Sequence, residues 1–335
     1  MNFATSGKLS LAAILISAAL QANAGISVEG EQGVFSIGGD VEFDINLRDK
    51  NATDKQHLNQ DGRLLVQIAG ERSVSGDRYI KAQAQPLLKT TGKVELDDAW
   101  IAFGQANNWE LRVGRYEAFD LFPVGQDTML EYAKVDNDAE TSFGNGDVYR
   151  ANAARGRGDN GQVGFSKTAD NLYFELSTKF EKNATTADKN AVFVRPVVAY
   201  QIVDSVRVAA GLEANLTADD KDAANDFLGY GATVNYSAND LSINVNYAFR
   251  DFDKTKQEDT TIGANLLFKG FGLGHVYGDV DKGTSEKVNT TYASYQFANV
   301  MDVEDFSVYL GTYYSKVDDT ENKDLGMRIR LKYFF

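Results

Sequence analysis

Residues 35–48 read FSIGGDVEFDINLR and alternate between two kinds of side chain along their whole length. The odd positions, from Phe35 to Leu47, are apolar or glycine, and the even positions, from Ser36 to Arg48, are polar or glycine. Because successive side chains of a β-strand point to opposite faces of a sheet, this pattern predicts a strand with one apolar and one polar face. Strands of soluble proteins usually span about 5–6 residues, so this strand is unusually long.

The same alternation recurs along the chain, for example over residues 205–217, 240–252 and 324–335. Segments of roughly ten alternating residues are typical of transmembrane β-barrels, in which one face meets lipid and the other lines a lumen. We therefore predict an all-β fold, a transmembrane antiparallel β-barrel of about 16 strands, with 14 as the fallback because the alternation is blurred at Asp97 and Asp98. The alternative, a soluble sandwich, would have to place Arg-rich faces in a core. The predicted strands are 33–48, 62–73, 77–88, 93–104, 108–116, 157–168, 171–181, 190–203, 205–217, 226–237, 240–252, 258–268, 271–281, 287–298, 304–316 and 324–335.

Connections and aromatic residues fit this topology. Short connections (74–76, 106–107, 168–170, 204–205, 238–239 and 269–270) alternate with longer polar ones (49–61, 182–189, 218–225, 253–258, 281–287 and 317–323). Bacterial barrels have short periplasmic turns, long outer loops and two aromatic girdles at the membrane interfaces. The candidate girdle residues are Tyr236, Tyr247, Phe249, Phe268, Phe297, Tyr314 and Tyr333.

The N-terminus has the features of a secretory signal peptide. Lys8 is followed by the apolar run Leu9–Leu20 and by the small-x-small pattern Ala22-Asn23-Ala24. We predict a signal peptide over residues 1–24, cleavage after Ala24 and a barrel over residues 25–335. A membrane anchor is the alternative, but the run is too short to span. Residues 25–32 would lie loose in the periplasm or reach into the lumen as a small gate.

Composition excludes several classes of function. The chain has 335 residues, no cysteine and only two histidines, His57 and His275, so disulfides, thiolate metal sites and histidine-based catalysis are disfavoured. A net charge of -14 argues against nucleic acid as a partner. We expect no enzyme activity, no cofactor and no metal. A barrel enzyme would need a His–Ser or His–Asp cluster, and an adhesin would need large aromatic outer loops.

One connection is much longer than the others. Residues 117–156, between the fifth and sixth predicted strands, include several apolar side chains, such as Leu121 and Met129. A connection of this length in a compact protein is usually functional or disordered. Because its apolar residues need a packing partner, we predict that the loop folds inward and narrows the lumen. The alternative is a lid or an outer loop that packs on itself.

The stretch Gly114–Thr128, GRYEAFDLFPVGQDT, is similar to the carbohydrate-porin subgroup, the raffinose-porin-like glycoporins. The signal peptide, the long loop and the C-terminal strand ending in Phe335 resemble the Gram-negative porin superfamily. This resemblance implies an outer-membrane channel for passive diffusion of oligosaccharides, with cyclodextrin channels as a related possibility. It also implies contact with outer-membrane lipid and lipopolysaccharide, and a monomer or homotrimer. A general diffusion porin for small hydrophilic solutes, without sugar preference, is the alternative.

A sugar channel needs rings that stack on pyranose faces and polar groups that replace the water on sugar hydroxyls. The candidate constriction residues on the long loop supply both: Tyr116, Glu117, Phe119, Asp120, Phe122, Asp127, Glu131 and Tyr132. Facing them, the predicted lumen phase supplies donors: Arg48, Arg63, Arg112, Arg195, Arg207, Arg250, Arg328, Arg330 and Lys332. An acidic loop facing a basic wall would set a transverse field across the pore. Alternatively, the wall arginines pair with neighbouring carboxylates and the loop rings only anchor the loop.

Overall fold

The structure, a computed structural model, describes residues 25–31, 33–50, 55–121, 160–182, 190–218, 226–319 and 323–335. The predicted signal peptide lies outside these residues. The described residues contain no helix that is long and apolar enough to cross a membrane. Strands dominate, and a short 3-10 turn, Val300–Asp302, precedes the next-to-last strand.

The strands, numbered in chain order, are β1 (Ile26–Gly30), β2 (Gly33–Lys50), β3 (Lys55–Val74), β4 (Arg78–Lys89), β5 (Val94–Gln105), β6 (Trp109–Arg115), β7 (Gln162–Ala169), β8 (Leu172–Lys182), β9 (Asn190–Val203), β10 (Val206–Asn215), β11 (Phe227–Ala238), β12 (Leu241–Phe252), β13 (Glu258–Phe268), β14 (Phe271–Asp281), β15 (Ser285–Phe297), β16 (Phe306–Val317) and β17 (Lys323–Phe334).

Strands β2 to β17 form a closed antiparallel barrel of 16 strands. Each strand pairs with its neighbours in the sequence, and β17 closes the ring by pairing with β2 from Asp324↔Lys50 to Phe334↔Asp40. Closure satisfies the backbone groups of both terminal strands, which a membrane-spanning sheet requires because lipid offers no hydrogen-bond partners. The predicted barrel and its strand number are confirmed.

The distribution of polarity is the reverse of that in a soluble protein: the inner face of the barrel is polar and the outer face is apolar. On β2, Asp44 and Asn46 point inward and are buried, whereas Phe43, Ile45 and Leu47 point outward and are exposed. The candidate girdle residues Tyr236, Tyr247, Phe268, Phe297, Tyr314 and Tyr333 are likewise exposed on the outer surface. The period-2 pattern of the sequence thus matches an apolar exterior and a polar interior.

The short turns at one end of the barrel lie where the sequence predicts them. Asn107, Asp170 and Asn239 adopt positive φ values of 57°, 51° and 51° in these turns. Tight hairpins with the twist of the flanking strands need positive φ, and Asn and Asp tolerate it better than other residues with a side chain. This end is called the short-turn end below, and the opposite end is the long-loop end.

Two predictions about connections are wrong. The long loop predicted over residues 49–61 is mostly strand, because β2 and β3 continue to a Lys50↔Lys55 pair. The sequence of residues 49–61 is mostly polar in both phases of the alternation, which hides the period-2 pattern although the backbone ladder continues. Residues 26–30 are neither loose nor inside the lumen: they form β1, which pairs with β2 from Ile26↔Ile37 to Gly30↔Gly33.

Candidate functional site

The first residues of the long loop lie inside the barrel. We call residues 116–121, which directly follow β6, the inner segment. Tyr116, Ala118, Phe119 and Leu121 are all buried, although they belong to no strand. The remainder of the loop, residues 122–159, lies outside the described residues, as do the candidate site residues Phe122, Asp127, Glu131 and Tyr132.

Two wall glycines make room for the inner segment. A Cβ atom at Gly164 on β7 would overlap the hydroxyl of Tyr116, and one at Gly211 on β10 would lie 2.8 Å from Leu121 Cδ1. The segment therefore crosses from β7 to β10 on the lumen side of the wall. Both glycines have the inward phase of their strands, so the missing side chains leave shallow depressions into which the segment packs.

Polar contacts fix the backbone of the inner segment. The Phe119 N–H donates to Glu175 Oε1 at 2.9 Å, and the Tyr173 hydroxyl donates to Glu175 Oε2 at 2.6 Å. Nearer the long-loop end, the Gln162 side-chain amide donates to the Tyr116 carbonyl, and Arg195 Nη2 donates to Gln162 Oε1. Buried hydrogen-bond networks favour one arrangement, so the backbone of the segment is held at Tyr116 and at Phe119.

The Phe119 ring is covered by two wall side chains. Its centroid lies 5.6 Å from that of Tyr173 at an interplanar angle of 30°. The Arg207 guanidinium carbon lies 4.8 Å from the centroid of Phe119, within cation–π range. Phe119 is only 9% exposed, so in this structure the ring anchors the segment to the wall.

Arg112 sits at the start of the inner segment, with a carboxylate and two rings around it. It binds Glu110 Oε1 through Nε at 2.9 Å and Nη2 at 2.6 Å. Its guanidinium carbon lies 4.4 Å from the Trp100 ring centroid and 5.2 Å from that of Tyr116. Tyr79 donates to the other oxygen of Glu110 at 2.9 Å. Arg112 is therefore neutralised within the wall.

The basic side chains of the last strand are also paired. Arg330 makes a bidentate contact with Asp44, with Nε and Nη2 each 2.7 Å from a carboxylate oxygen. Arg330, Arg328 and Lys332 of β17 lie directly opposite Asp44, Asn46 and Glu42 of β2, and directly opposite residues of neighbouring strands interact most strongly. We call the whole set the charge ladder: Asp40, Glu42, Asp44, Asn46, Arg63, Arg328, Arg330 and Lys332.

The other predicted wall and loop residues are placed as follows. Arg250 on β12 binds Asp259 Oδ2 at 2.9 Å through Nε. Glu117 and Asp120 are half-buried on the inner segment. The backbone of Arg48 is on β2, but its side chain lies outside what the structure describes. The structure therefore brings Arg112, Arg195 and Arg207 to the inner segment and gathers Arg63, Arg328 and Arg330 elsewhere, on the charge ladder.

Sequence reasoning missed the residues that hold the inner segment, chiefly Glu175, Tyr173 and Gln162. All three have the inward phase of predicted strands, so the alternation placed them on the lumen face. The alternation could not predict which strands the loop crosses, because the crossing depends on the direction in which the chain leaves β6. The carboxylates that pair with the wall arginines also occupy inward positions of the alternating pattern.

The described histidine side chain, that of His275, lies on the outer surface of the barrel. His275 Nδ1 lies 2.9 Å from Thr291 Oγ1, and both residues lie on the outward phase of β14 and β15, away from the lumen. The described residues contain no group of three or more His, Cys, Asp or Glu side chains placed to hold a metal ion.

Comparisons with known proteins agree with this architecture. Salmonella typhi OmpF, solved in complex with daunomycin, superposes with a TM-score of 0.66 at 13% identity, covering 92% of this chain and 100% of its own. OmpT, an outer membrane protein of Vibrio cholerae, gives 0.63 at 13% identity, covering 92% and 100%. A mutant of the Rh. blastica porin gives 0.61 at 16% identity, covering 90% and 100%. Similarity at these identities shows the fold alone.

Searches by sequence are more specific. No curated protein sequence matches the chain, but the family model described as porin-like glycoporin RafY matches residues 37–335. The match spans every strand of the barrel except the first residues of β2, together with the long loop. The chain therefore belongs to the porin-like glycoporin RafY family, and it forms an outer-membrane porin channel.

Proposed function

We propose that this porin conducts oligosaccharides by passive diffusion, and that the long loop, starting with the inner segment, selects them. The observation that carries the proposal is the inner segment itself, with Tyr116 and Phe119 held inside the barrel by Glu175 and Gln162. The family name, which refers to a glycoporin, points in the same direction.

The lumen provides the polar groups that such a path requires. A sugar that leaves bulk water must exchange its hydration for hydrogen bonds, and inward amides, hydroxyls and charged groups supply donors and acceptors. The proposed constriction set remains Tyr116, Glu117, Phe119, Asp120, Phe122, Asp127, Glu131 and Tyr132, opposite or beside the wall arginines. Nothing in the path consumes energy, so net flux follows the concentration gradient.

The second candidate is a general diffusion porin, and two observations favour it. Most wall arginines are paired with carboxylates, which leaves few free donors for sugar hydroxyls. Phe119 is covered by Tyr173 and Arg207, so this ring offers no open face in the structure. Selectivity for sugars would then depend on the rest of the long loop.

Export and assembly are part of the proposal. We propose that residues 1–24 are removed as a signal peptide and that the mature barrel begins at Gly25. The apolar outer surface would contact outer-membrane lipid and lipopolysaccharide. A monomer and a homotrimer are both compatible with a closed barrel, because each protomer encloses its own lumen.

The test is conductance of the purified mature protein in a planar bilayer, titrated with linear and cyclic oligosaccharides. We expect a stable conductance that sugars block saturably at millimolar concentration or below. Phe119→Ala and Phe122→Ala should weaken the block. Phe268→Ala, which removes a ring from the outer surface, serves as the matched control and should leave the block unchanged.

Conductance without sugar block would favour the general diffusion porin and would contradict sugar selection. The absence of any conductance would contradict the open-channel proposal.

A further inference from the structure

Arg207 differs from the other wall arginines. Within the part of the chain that the structure describes, its Nε and Nη2 are buried and have no hydrogen-bond acceptor. Arg112, Arg250 and Arg330, by contrast, each bind a carboxylate. A buried donor without an acceptor is costly, and more so when it is charged. Such a group in a native lumen calls for an explanation.

The backbone aims Arg207 into the lumen at an irregular position. The pairing of β9 with β10 shifts register between Val206 and Arg207. β-Bulges re-aim side chains and are over-represented at barrel rims and beside functional sites. Arg207 is the second residue of β10, close to the turn at 204–205, so the guanidinium lies near the short-turn end of the channel.

The Phe119 ring holds the guanidinium without neutralising it. The guanidinium carbon lies 4.8 Å from the Phe119 centroid, and a ring face attracts a cation but accepts none of its in-plane N–H groups. Glu175, the carboxylate that anchors the inner segment, accepts hydrogen bonds from the Phe119 N–H and the Tyr173 hydroxyl. Among the residues that the structure describes, Nε and Nη2 of Arg207 therefore have no hydrogen-bond acceptor.

We propose that Arg207 is a subsite for the carboxylate of an acidic sugar, a uronate, that passes through the channel. This inference rests on the proposed channel function and adds the class of solute. A carboxylate matches the planar fork of a guanidinium and can accept two parallel hydrogen bonds. Phe119 and Tyr173 are buried against each other behind Arg207, so a pyranose attached to the carboxylate would extend from Arg207 into the open lumen.

The neighbourhood favours a monoanion over a dianion. Arg207 contributes one positive charge, and Glu175 lies on the adjoining wall, two strands away on β8. A phosphate-like dianion would keep an uncompensated negative charge near this carboxylate, whereas a uronate would be neutralised. Neutral sugars gain no comparable interaction, so the subsite should discriminate by charge.

The experiment compares block of the channel by glucuronate and by glucose, which differ in one carboxylate. Wild-type protein is measured beside Arg207→Gln and Arg207→Lys in planar bilayers. The control is the double variant Lys256→Gln/Asp253→Asn, which removes an exposed cation on an outer turn together with its paired carboxylate. We expect glucuronate to block wild type at lower concentration than glucose does. Arg207→Gln should raise the half-blocking concentration of glucuronate roughly tenfold and leave that of glucose unchanged.

Arg207→Lys keeps the charge but loses the fork, and it should fall between wild type and Arg207→Gln. Equal block by glucuronate in wild type and Arg207→Gln would overturn the subsite, as would an equal loss in the control. A changed chloride selectivity of Arg207→Gln with unchanged glucuronate block would also overturn it, because the effect would then be long-range. If wild type conducts no ions, the channel proposal itself fails. A channel that conducts but whose glucuronate block is the same in Arg207→Gln would overturn only the subsite.

Discussion

The lumen face of β2 and the lumen face of β10 both carry charge, and they handle it in opposite ways. On β2, Asp44 is matched across the strand pair by Arg330 at 2.7 Å. On β10, Arg207 has an aromatic ring in place of a carboxylate. In the first arrangement a wall cation and a wall carboxylate satisfy each other. The second leaves a cation with unused donors, next to the only described segment of the long loop.

This difference shows that a basic residue in a pore wall is not by itself a solute contact. The cations of β17 whose partners lie directly opposite on β2 join the first and last barrel strands and so contribute to barrel closure. A cation placed against a ring is still able to meet an anion from outside. The predictions below test the two regions separately.

The largest expected effect is on the charge ladder. Asp44→Ala removes the bidentate partner of Arg330, which is 5% exposed, and the carboxylate beside Arg328, and it leaves the contact of Arg330 with Glu42 at 3.2 Å. Removing one partner of a buried ion pair costs about 3–5 kcal/mol, and the remaining Glu42 contact places this variant at the lower end of that range. We expect this loss in the free energy of unfolding, measured by urea denaturation in lipid vesicles.

Asp253→Ala is the matched control, because Asp253 pairs with Lys256 on an exposed outer turn. Exposed pairs contribute little, so its unfolding curve should overlay wild type. If both variants unfold alike, the ladder is not what holds the barrel closed, and the contrast with β10 loses its basis.

The second effect concerns the anchor of the inner segment. Glu175→Ala removes the acceptor for the Phe119 N–H and the Tyr173 hydroxyl, and hydrogen bonds to a charged group contribute about 1.5–3 kcal/mol each. We expect a broader distribution of single-channel conductance, because the segment loses its position. Glu175→Gln, which still offers one acceptor and a donor, should restore part of the wild-type distribution.

Glu181→Ala provides the comparison on the same strand. Glu181 has the same inward phase of β8 but pairs with Lys179 at 2.7 Å, and no described contact joins it to the inner segment. Its conductance distribution should stay narrow. A broadened distribution in Glu181→Ala would mean that any lost wall charge disturbs the pore, and the special role of Glu175 would be refuted.

The third effect is steric. Gly164→Ala puts a methyl group against the Tyr116 hydroxyl. Overpacking costs about 1 kcal/mol when, as here, the displaced atom is the end of a side chain. Because Tyr116 begins the inner segment, we expect altered conductance as well as a lower unfolding free energy.

Gly274→Ala separates these two effects. A Cβ at Gly274 would overlap the Tyr292 ring, which lies on the wall between β14 and β15, far from β6 in the strand order. It should lower stability to a similar degree and leave conductance unchanged. Equal conductance changes in the two variants would indicate a general loosening of the barrel.

The sequence could predict the barrel because its signal is local and repeated. Each strand carries its own alternation, as residues 35–48 do, and every short turn carries its own Asn, Asp or Gly. The inward phase also placed Arg112, Arg195 and Arg207 on the lumen wall. The pairing of Arg330 with Asp44 was within reach too, because closing the barrel sets the last strand against the first.

The anchor of the inner segment could not be predicted, because it is a contact between residues far apart in sequence with no shared period. Phe119 and Glu175 meet only because β6 is short and the chain turns inward where it ends. The strand status of residues 26–30 was missed for a related reason. Residues 26–30 pair with the start of β2. That edge of β2 is not covered by β17, because β17 ends at Phe334, opposite Asp40.

The smallest expected effect concerns β1 and tests whether a strand outside the charge ladder contributes to the stability of the barrel. Strand β1 pairs with the part of β2 that lies beyond β17, and all of its side chains are exposed. Deleting residues 26–30 removes one short edge strand and no ladder contact. The hydrogen bonds that join Gly39 to Phe335 remain and keep the ring closed. We therefore expect an unfolding free energy within about 1 kcal/mol of wild type, since the deletion costs a few solvent-exposed backbone hydrogen bonds. Measured beside Asp44→Ala under the same urea conditions, a larger loss would show that the β1 hairpin, and not the paired charges alone, secures the closing strands.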